Sequence, residues 1–479
     1  MNRLGNLKSL KKSSTLYALG SILNASVSFI LLPLFINELS VTEYGSYSLI
    51  LLSNSIASAI FYFGITSALT RSYFDYDSLE GRANCFYTSL IILCFGAVCQ
   101  ITLGIIFGGV LSEVLFSTDV YWKEIALMFS NGALSFINLS FLTLYRISNN
   151  PTKFFTCSVV TMLFNLVLVY LMILHYDLGV MGVILGFVIP QFILLLFYIF
   201  DNAQLLKSAK IIKSEIKVQI NFGLQVVISS FLSLGILWSD QFFVNNYMST
   251  YEVGVYALSV KLASAITVGF VNPFNQVFNP LALEQYRNNN AEKIIKSAYK
   301  FYLFFGFIFV LVFSMCLEEL LYFFDKNGSY NESAKYLFVL MFSLYLFGLI
   351  NVTALGFSFK RKMLEVTKVY LIAFIINLFL NYMLIPMYDL PGAVVSTFLS
   401  YLILMAMLKV RSNMIFEVNL PHGYILGSCL LAAFYFFSLN VFGRDDFIVR
   451  VCFKLIVFIF VSLIAFGVYV FSKKSWSSE

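Results

Sequence analysis

The sequence has little charge: only 12% of its 479 residues are Asp, Glu, Lys or Arg, while 60% are hydrophobic. In soluble domains about a quarter of the residues are charged and about half are apolar. So little charge leaves too much apolar surface for a water-surrounded fold, which excludes a soluble domain and predicts an integral membrane protein. The net charge of +6 lies in short loops between apolar runs and does not indicate a nucleic-acid partner.

Sequence signals for metal, disulfide and nucleotide chemistry are also missing. The two histidines, His175 and His422, are far apart, and the seven cysteines are scattered without a CxxC pair. We therefore predict neither a metal site nor a disulfide framework. A GxxxxGK[ST] phosphate loop is absent, so the chain is not expected to hydrolyse a nucleotide itself. No long external loop is present to hold a polymerase or transferase site. These absences predict a transporter rather than an enzyme, without a cofactor and driven by an H⁺ or Na⁺ gradient or by the gradient of its substrate.

Apolar runs of membrane length fill the chain. A run of about 20 apolar residues is long enough to span a bilayer as a helix. We predict fourteen such helices, centred near residues 25, 57, 97, 133, 165, 190, 230, 266, 308, 346, 375, 401, 431 and 460. Alternate loops carry most of the 31 basic residues. By the positive-inside rule these loops and both termini are predicted to be cytoplasmic.

Two long segments recur in the sequence. Residues Ser40–Leu49 (SVTEYGSYSL) resemble Ser249–Leu258 (STYEVGVYAL), 209 positions later. Residues Asn165–Ile173 (NLVLVYLMI) resemble Asn377–Ile385 (NLFLNYMLI), 212 positions later, and a shorter match between DLGVMGV and DLPGAVV follows. Three matches in one order indicate a duplication of about 210 residues. Each copy holds six predicted helices, and an even number keeps both copies in the same orientation.

These patterns predict an all-α integral membrane fold. Two parallel six-helix repeats are expected to form two lobes around a central cleft, with two additional C-terminal helices. The first lobe covers residues 1–205, the second covers residues 206–412, and the additional helices occupy residues 413–479.

Two charges flank the turn between the seventh and eighth predicted helices. Asp240 and Lys261 lie about ten residues on either side of the turn and are expected at similar depth. A charge within a bilayer is costly and is by default a candidate for function. In one interpretation the two pair as a structural strut. In the other, Lys261 faces the cleft and attracts an anionic substrate. Their counterparts at the 209-residue offset are Leu31 and Leu52, which favours function because the repeated scaffold does not require the charges.

Further candidates lie on other predicted helices. Arg71 and Arg146 end the second and fourth helices at the cytoplasmic side, where they either bind phosphate or only anchor the helix. Asn24 and Gln225 belong to polar stripes that either line the cleft or pack against another helix. Three prolines are hinge candidates or simple kinks, namely Pro33, Pro273 and Pro280.

Several of these segments resemble the Wzx-type O-antigen and polysaccharide repeat-unit flippases of the multidrug/oligosaccharidyl-lipid/polysaccharide exporter superfamily. The resemblance lies in LSVTEYGSYSL (residues 39–49), in FGITSALTRSYF with Gly64 and Arg71, in the segment from Asp240 to Tyr256, and in the glycines that open the sixth and twelfth predicted helices. It extends over nearly the whole chain.

The resemblance implies a V-shaped cleft and alternating access. It implies transfer of an undecaprenyl-diphosphate-linked oligosaccharide to the periplasmic leaflet of the bacterial inner membrane, for O-antigen, lipopolysaccharide or other surface polysaccharide. Membrane lipids, a polysaccharide polymerase and a chain-length regulator are the implied partners. Related lipid II flippases carry a basic residue in the eighth helix, where Lys261 stands. They also carry arginines in the first helix, whereas this chain has none, which favours another glycan lipid. The alternatives are a cation-coupled multidrug exporter and a membrane glycan polymerase.

Overall fold

A computed structural model describes residues 16–17, 19–287, 291–325, 327–360 and 362–415. All regular structure in this part of the chain is helical. Eleven of its helical segments are long and apolar enough to cross a membrane. The protein is therefore a multi-pass membrane protein with an all-α fold, as the sequence predicts.

Fifteen α-helices are numbered here in chain order. They are α1 (Leu19–Glu38, with a turn at Leu31), α2 (Val41–Phe61), α3 (Ile65–Ser72), α4 (Leu79–Phe116), α5 (Trp122–Ile147), α6 (Pro151–Leu174), α7 (Gly179–Asp201), α8 (Ala203–Ser208), α9 (Lys213–Tyr247), α10 (Thr250–Ala263), α11 (Asn272–Arg287), α12 (Ala291–Phe324), α13 (Asn331–Thr353), α14 (Leu355–Phe359) and α15 (Met363–Asn413). A 3₁₀ turn, Tyr73–Asp75, follows α3, and a π-helix, Thr267–Val271, precedes α11.

The count of fourteen spans is not confirmed. The first ten predicted centres each fall in one observed span, but those at 375 and 401 share the single segment Leu364–Asn413. The two runs are joined by a kink at Asp389 within continuous helical structure, so no open loop separates them. The last two predicted helices lie outside the described residues.

The kink in α15 is a chain reversal. A straight helix of 51 residues would be about 77 Å long, more than twice the apolar thickness of a bilayer. Asp389 has φ 57°, and beyond it the chain folds back, since the Asn377 amide donates to the Ser400 hydroxyl at 3.0 Å. Asp177, 212 positions earlier, also has a positive φ, 49°. The two aspartates with positive φ therefore lie at equivalent positions of the predicted duplication.

The first turns of α2 and α10 are a second repeated feature. In α2 the Glu43 backbone N–H donates to the Ser40 hydroxyl at 3.2 Å, and the Ser40 N–H donates to the Glu43 carboxylate at 2.8 Å. This reciprocal cap satisfies two N–H groups that lack helical partners. At the equivalent start of α10 the Tyr251 N–H donates to the Ser249 hydroxyl at 3.2 Å, and that hydroxyl donates to Glu252.

The two repeated turns pack against each other through Gly45 and Gly254. A Cβ added to Gly45 would collide with the Thr250 carbonyl oxygen, and one added to Gly254 would collide with the Val41 carbonyl oxygen. Gly254 is Gly45 plus 209, and Thr250 is Val41 plus 209. The contact is therefore reciprocal between the two copies of the motif, and the lack of side chains allows the backbones to touch.

The chain divides into two compact units between Gly254 and Val255. The first unit includes α9, which the sequence analysis assigned to the second lobe. Contacts at the start of α9 explain the division: Gln219 accepts a hydrogen bond from Ser89 of α4 at 2.8 Å, and Glu215 accepts one from Tyr76 at 2.9 Å. The lobe boundary at residues 205 and 206 stays a prediction.

Candidate functional site

The two helices that follow the repeated caps are interrupted at adjacent positions of the repeat. After α2, Phe63 and Gly64 adopt positive φ angles of 51° and 62° before α3 begins. In the second copy the π-helix Thr267–Val271 stands between α10 and α11, and its last residue is Tyr62 plus 209. Breaks of this kind in membrane helices occur where the backbone is buried in protein or lines a cavity. We call α3 and α11 the inner segments, because they lie on the side predicted to be cytoplasmic.

The inner segment of the first unit presents an exposed cation. Arg71 and Ser67 are four residues apart on α3, so they share one face, and both are exposed. The Arg71 guanidinium carbon lies 5.0 Å from the centre of the Phe222 ring of α9. Stacking on a ring orients the guanidinium while its N–H edge stays available, which is the geometry that suits a phosphate.

Helix α9, whose Phe222 ring lies below this cation, also carries exposed polar side chains. Asn221 and Gln225 lie one turn apart on α9, on either side of Phe222 in the sequence, and both are exposed. Gln219 is fully buried, and its hydrogen bond to Ser89 fixes the rotation of this part of the helix. Of the predicted site residues, Arg71 and Gln225 are therefore brought to one pair of packed helices.

A buried acid holds the inner end of α9. Glu215 is buried and accepts a hydrogen bond from Tyr76, while the Gln219 amide donates to its second oxygen at 3.4 Å. Burial of Tyr76, together with its hydrogen bond to the Glu215 carboxylate, raises the pKa of Tyr76 to about 12. A tyrosine that donates to a carboxylate is expected to hold its proton more tightly.

Arg146 and Asn24 are not brought to Arg71 by any contact among the described residues. Arg146 is exposed in the last turn of α5, and its carbonyl oxygen accepts from the Tyr17 hydroxyl at 3.5 Å. Asn24 is half-buried on α1. Their participation in a site stays a prediction.

Asp240 lies in the protein interior, with 1% of its surface exposed. Its carboxylate accepts the backbone N–H of Gln241 at 2.9 Å, and the Gln241 side chain accepts from the Ser48 hydroxyl, also at 2.9 Å. α9 ends at Tyr247, about 10 Å beyond Asp240.

Lys261 is half-buried on α10, about 16 Å from the start of that helix at Thr250. It belongs to the second compact unit, whereas Asp240 belongs to the first. Pairing of the two charges stays a prediction.

Two of the three predicted hinge prolines stand next to helix breaks. Pro33 follows the turn at Leu31 in α1, and its carbonyl oxygen accepts from the Asn37 amide at 2.7 Å. Pro273 is the second residue of α11, two positions after the end of the π-helix, and Pro280 lies within α11. Their role as hinges stays a prediction.

The inner segment of the second unit has an aromatic face. Phe270 of the preceding π-helix and Phe274 and Phe278 of α11 follow one another every four residues. The first two pack on Tyr302 of α12, with ring centres 5.2 and 5.0 Å apart, and Phe274 also stacks on Phe301 at 6.2 Å. This packing fixes which side of α11 is turned away from α12.

Two polar features have partners or a setting that the sequence alone does not specify. Gln100 is fully buried, and its amide donates to Asn54 at 3.0 Å and to Ser58 at 2.9 Å. The polar residues of the second predicted helix thus serve packing between α2 and α4. Lys409, a basic residue of the kind that the positive-inside rule places in a loop, is only 6% exposed on α15 and lies 5.9 Å from the Tyr299 ring. The apolar run MAMLKV around Lys409 is the signal that could have shown its helical setting.

The carboxylate, thiol and imidazole groups of the described residues form no cluster of three or more that could hold a metal ion.

Comparisons with known proteins give a family and a fold. A family model with the description polysaccharide biosynthesis protein matches residues 10–284, more than half of the chain. No curated protein matches the chain.

Several solved structures share the fold. A lipid II flippase MurJ in an inward closed conformation aligns over 96% of this chain and 97% of its own, at 15% identity and a TM-score of 0.64. An inward-facing multidrug resistance MATE family transporter of the MOP superfamily covers 85% of this chain and 96% of its own, at 15% identity and a TM-score of 0.65. A mutant MATE transporter of Vibrio cholerae covers 85% and 96%, at 14% identity and a TM-score of 0.59. At these identities the similarity establishes the fold alone.

Proposed function

Because the chain belongs to the polysaccharide biosynthesis protein family, we propose that it flips a polyprenyl-diphosphate-linked oligosaccharide across the bacterial inner membrane. The headgroup enters a hydrated cleft from the cytoplasmic side, the polyprenyl tail stays in lipid, and a change of access releases the headgroup at the periplasmic side. Both termini are cytoplasmic in this proposal. The chain itself forms and breaks no covalent bond.

The observation that carries this proposal is the exposed polar surface at the inner end of the first unit. In a chain that is only 12% charged, Arg71 stacks on Phe222 next to exposed Ser67, Asn221 and Gln225. Exposed polar groups at lipid depth are costly, so this surface is expected to face water and a polar ligand. A guanidinium fits the two phosphates of a diphosphate headgroup. Lys261 is proposed to attract the same headgroup further along its path.

The substrate is proposed to be a repeat unit of O-antigen or another surface polysaccharide. The first predicted helix lacks the arginines that the lipid II resemblance would imply, which supports a different glycan lipid. A polymerase and a chain-length regulator would then act on the product, and an H⁺ or Na⁺ gradient would drive transport.

Deletion in the native bacterium tests the proposal. In a strain that also lacks related flippases, lipid-linked repeat units should accumulate in the inner leaflet, where a membrane-impermeant glycan-modifying reagent cannot reach them. Plasmid-borne wild-type chain should restore their exposure. Unchanged exposure in the deletion strain would contradict the proposed function.

A cation-coupled multidrug exporter is the second candidate, because MATE transporters share the fold as closely as the flippase does. A site for cationic drugs is expected to present acidic side chains, yet the exposed charge described above is a guanidinium. Raised resistance to cationic drugs on expression, with unchanged glycan exposure on deletion, would favour the exporter.

A further inference from the structure

The inner segment of the second unit carries four amide side chains on one side. The stretch Asn272–Asn279 (NPFNQVFN) contains Asn272, Asn275, Gln276 and Asn279 and no charged residue. At 100° per residue these four fall within an arc of about 100°. Phe270 and Phe274, which pack on α12, occupy the opposite side. We call these four residues the amide face.

Two members of the amide face are half-buried, and the side-chain oxygen of each lacks a hydrogen bond. The side-chain oxygens of Asn275 and Asn279 are buried and have no hydrogen-bond partner among the described residues. The other two members, Asn272 and Gln276, are exposed. Buried amide oxygens in native proteins nearly always accept a hydrogen bond, so the pair indicates a donor that the described residues do not supply.

The backbone above the amide face is irregular. The π-helix Thr267–Val271 is capped by Asn272, whose N–H donates to the Thr267 carbonyl. Pro273 has no N–H, so one carbonyl of the preceding turn loses its intrahelical donor. Irregular turns of this kind often mark functional positions in helices. Polar backbone and polar side chains therefore occur together at this end of the helix.

The first repeat shows that the scaffold does not require amides here. At the 209-residue offset, Asn275 and Asn279 correspond to Thr66 and Thr70. The Thr70 hydroxyl donates to the Thr66 carbonyl at 2.8 Å, so that side chain is satisfied within its own helix. The second repeat has longer side chains in the same two places, and their oxygens are unsatisfied.

We infer that the amide face binds the sugar rings of the headgroup, an inference that rests on the proposed flippase function. Each amide offers donors and an acceptor, which match the hydroxyl and acetamido groups of a neutral sugar. The stretch lacks the carboxylates that a cation site or a cationic drug would favour. A phosphate would be better served by the guanidinium of Arg71 than by amide oxygens, which repel it. The amide face thus supplies sugar recognition that is separate from diphosphate recognition.

The test compares two lipids on the purified full-length protein in nanodiscs. The probes are undecaprenyl-diphosphate-N-acetylglucosamine and undecaprenyl diphosphate without a sugar. The wild type should bind the sugar-bearing probe about tenfold more tightly, since hydrogen bonds to a buried polar group give discrimination of this order. The double variant Asn275→Thr with Asn279→Thr, which has the side chains of the first repeat, should lose this preference and keep its affinity for undecaprenyl diphosphate.

Controls separate the possible failures. Thr70→Ala should leave the tenfold preference unchanged. If the threonine double variant has a lower melting temperature than the wild type, Asn275→Ala with Asn279→Ala replaces it. Equal wild-type affinity for both probes, or a preference that survives in the double variant, would overturn the sugar site and leave the flippase proposal standing. If the double variant loses affinity for both probes at an unchanged melting temperature, the sugar site is also overturned. The same holds if the only effect of the double variant is to remove a dependence of probe binding on Na⁺. Wild-type protein that binds neither probe would count against the flippase proposal itself.

Discussion

The helix pair α2–α3 and the helix pair α10–α11 are two copies of one arrangement. Each begins with a serine and glutamate cap, places a glycine in its second turn, and is interrupted about twenty residues later. The differences are in side chains. Lys261 replaces Leu52, and Asn275 and Asn279 replace Thr66 and Thr70. The shared features are those that the backbone needs, and the first copy forms them without Lys261, Asn275 or Asn279. This contrast is why we assign substrate recognition to them.

The largest effect is expected where the two copies touch. Gly45→Val and Gly254→Val each place a side chain against a carbonyl of the other copy. Overpacking costs about 1–3 kcal/mol when side chains can adjust, and a backbone neighbour adjusts less. Both variants should therefore lose most of the folded protein, to a similar degree, in detergent-solubilised yield and melting temperature.

Gly109→Ala is the matched control for this pair. No atom lies within 4 Å of a Cβ built on Gly109 of α4, so its melting temperature should stay the same or rise slightly. If Gly45→Val lowers the melting temperature and Gly254→Val does not, the two contacts are not equivalent and the reciprocal arrangement is wrong.

Arg71 gives the next largest effect, on transport rather than on folding. Arg71→Ala should lower glycan export about tenfold or more, since a charge-assisted hydrogen bond is worth about 1.5–3 kcal/mol. Lys123→Ala is the control, because Lys123 also lies over a ring, 5.8 Å from Trp122, but at the opposite end of the membrane. Export is measured as glycan reached by the impermeant reagent. Equal loss in both variants would indicate a general effect of surface charge.

A smaller difference, in the stability of two variants, is expected at two asparagines that lie 212 positions apart. Asn377 is fully buried and donates to Ser400, whereas the buried side-chain oxygen of Asn165 has no partner among the described residues. Asn377→Leu should cost about 1–3 kcal/mol because it leaves Ser400 without its donor, while Asn165→Leu should be nearly neutral. Melting temperatures of the two variants provide the comparison. A larger loss for Asn165→Leu would contradict it.

The smallest effect is expected on stability at high pH, and it involves the hydrogen bond from Tyr76 to Glu215 at the start of α9. The pKa of Tyr76 is raised in the folded protein, so the folded state holds this proton more tightly than the unfolded state. The stabilisation is complete below the ordinary tyrosine pKa of about 10 and is lost as pH rises towards the folded value of about 12. In Tyr76→Phe the melting temperature should therefore fall less steeply between these pH values than in the wild type. An unchanged slope would show that other groups cause it.

Much of the fold could be predicted from the sequence because apolar runs of membrane length are strong signals. The twelve centres from residue 25 to residue 401 all fall in observed helical spans. The number of spans in Met363–Asn413 is harder to predict, because the chain reverses at Asp389, between Pro386 and Pro391, without an intervening polar loop. The duplication was visible in short motifs, and the same offsets recur in caps, breaks and positive φ angles.

The candidate site was less predictable, because it depends on which side of each helix faces inward. Asp240 and Lys261 have the same charge signal in the sequence, yet Asp240 is almost fully buried and Lys261 is half-buried. Gln100, Asn54 and Ser58 form a packing contact whose partners are up to 46 residues apart. No local spacing rule links such residues. The stacking of Arg71 on Phe222 depends in the same way on the packing of α3 against α9.

The proposed role of the second repeat in substrate recognition is tested most directly in cells that express Lys261→Ala. The measurement is the distribution of lipid-linked repeat units between the two leaflets. The strain lacks the wild-type chain and related flippases, and the variant is expressed at wild-type level. We predict that exposure of the glycan to an impermeant reagent falls towards the level of the deletion strain, whereas Lys261→Arg, which keeps the positive charge, stays near wild type. Full exposure with Lys261→Ala would contradict the assignment of substrate recognition to the second repeat.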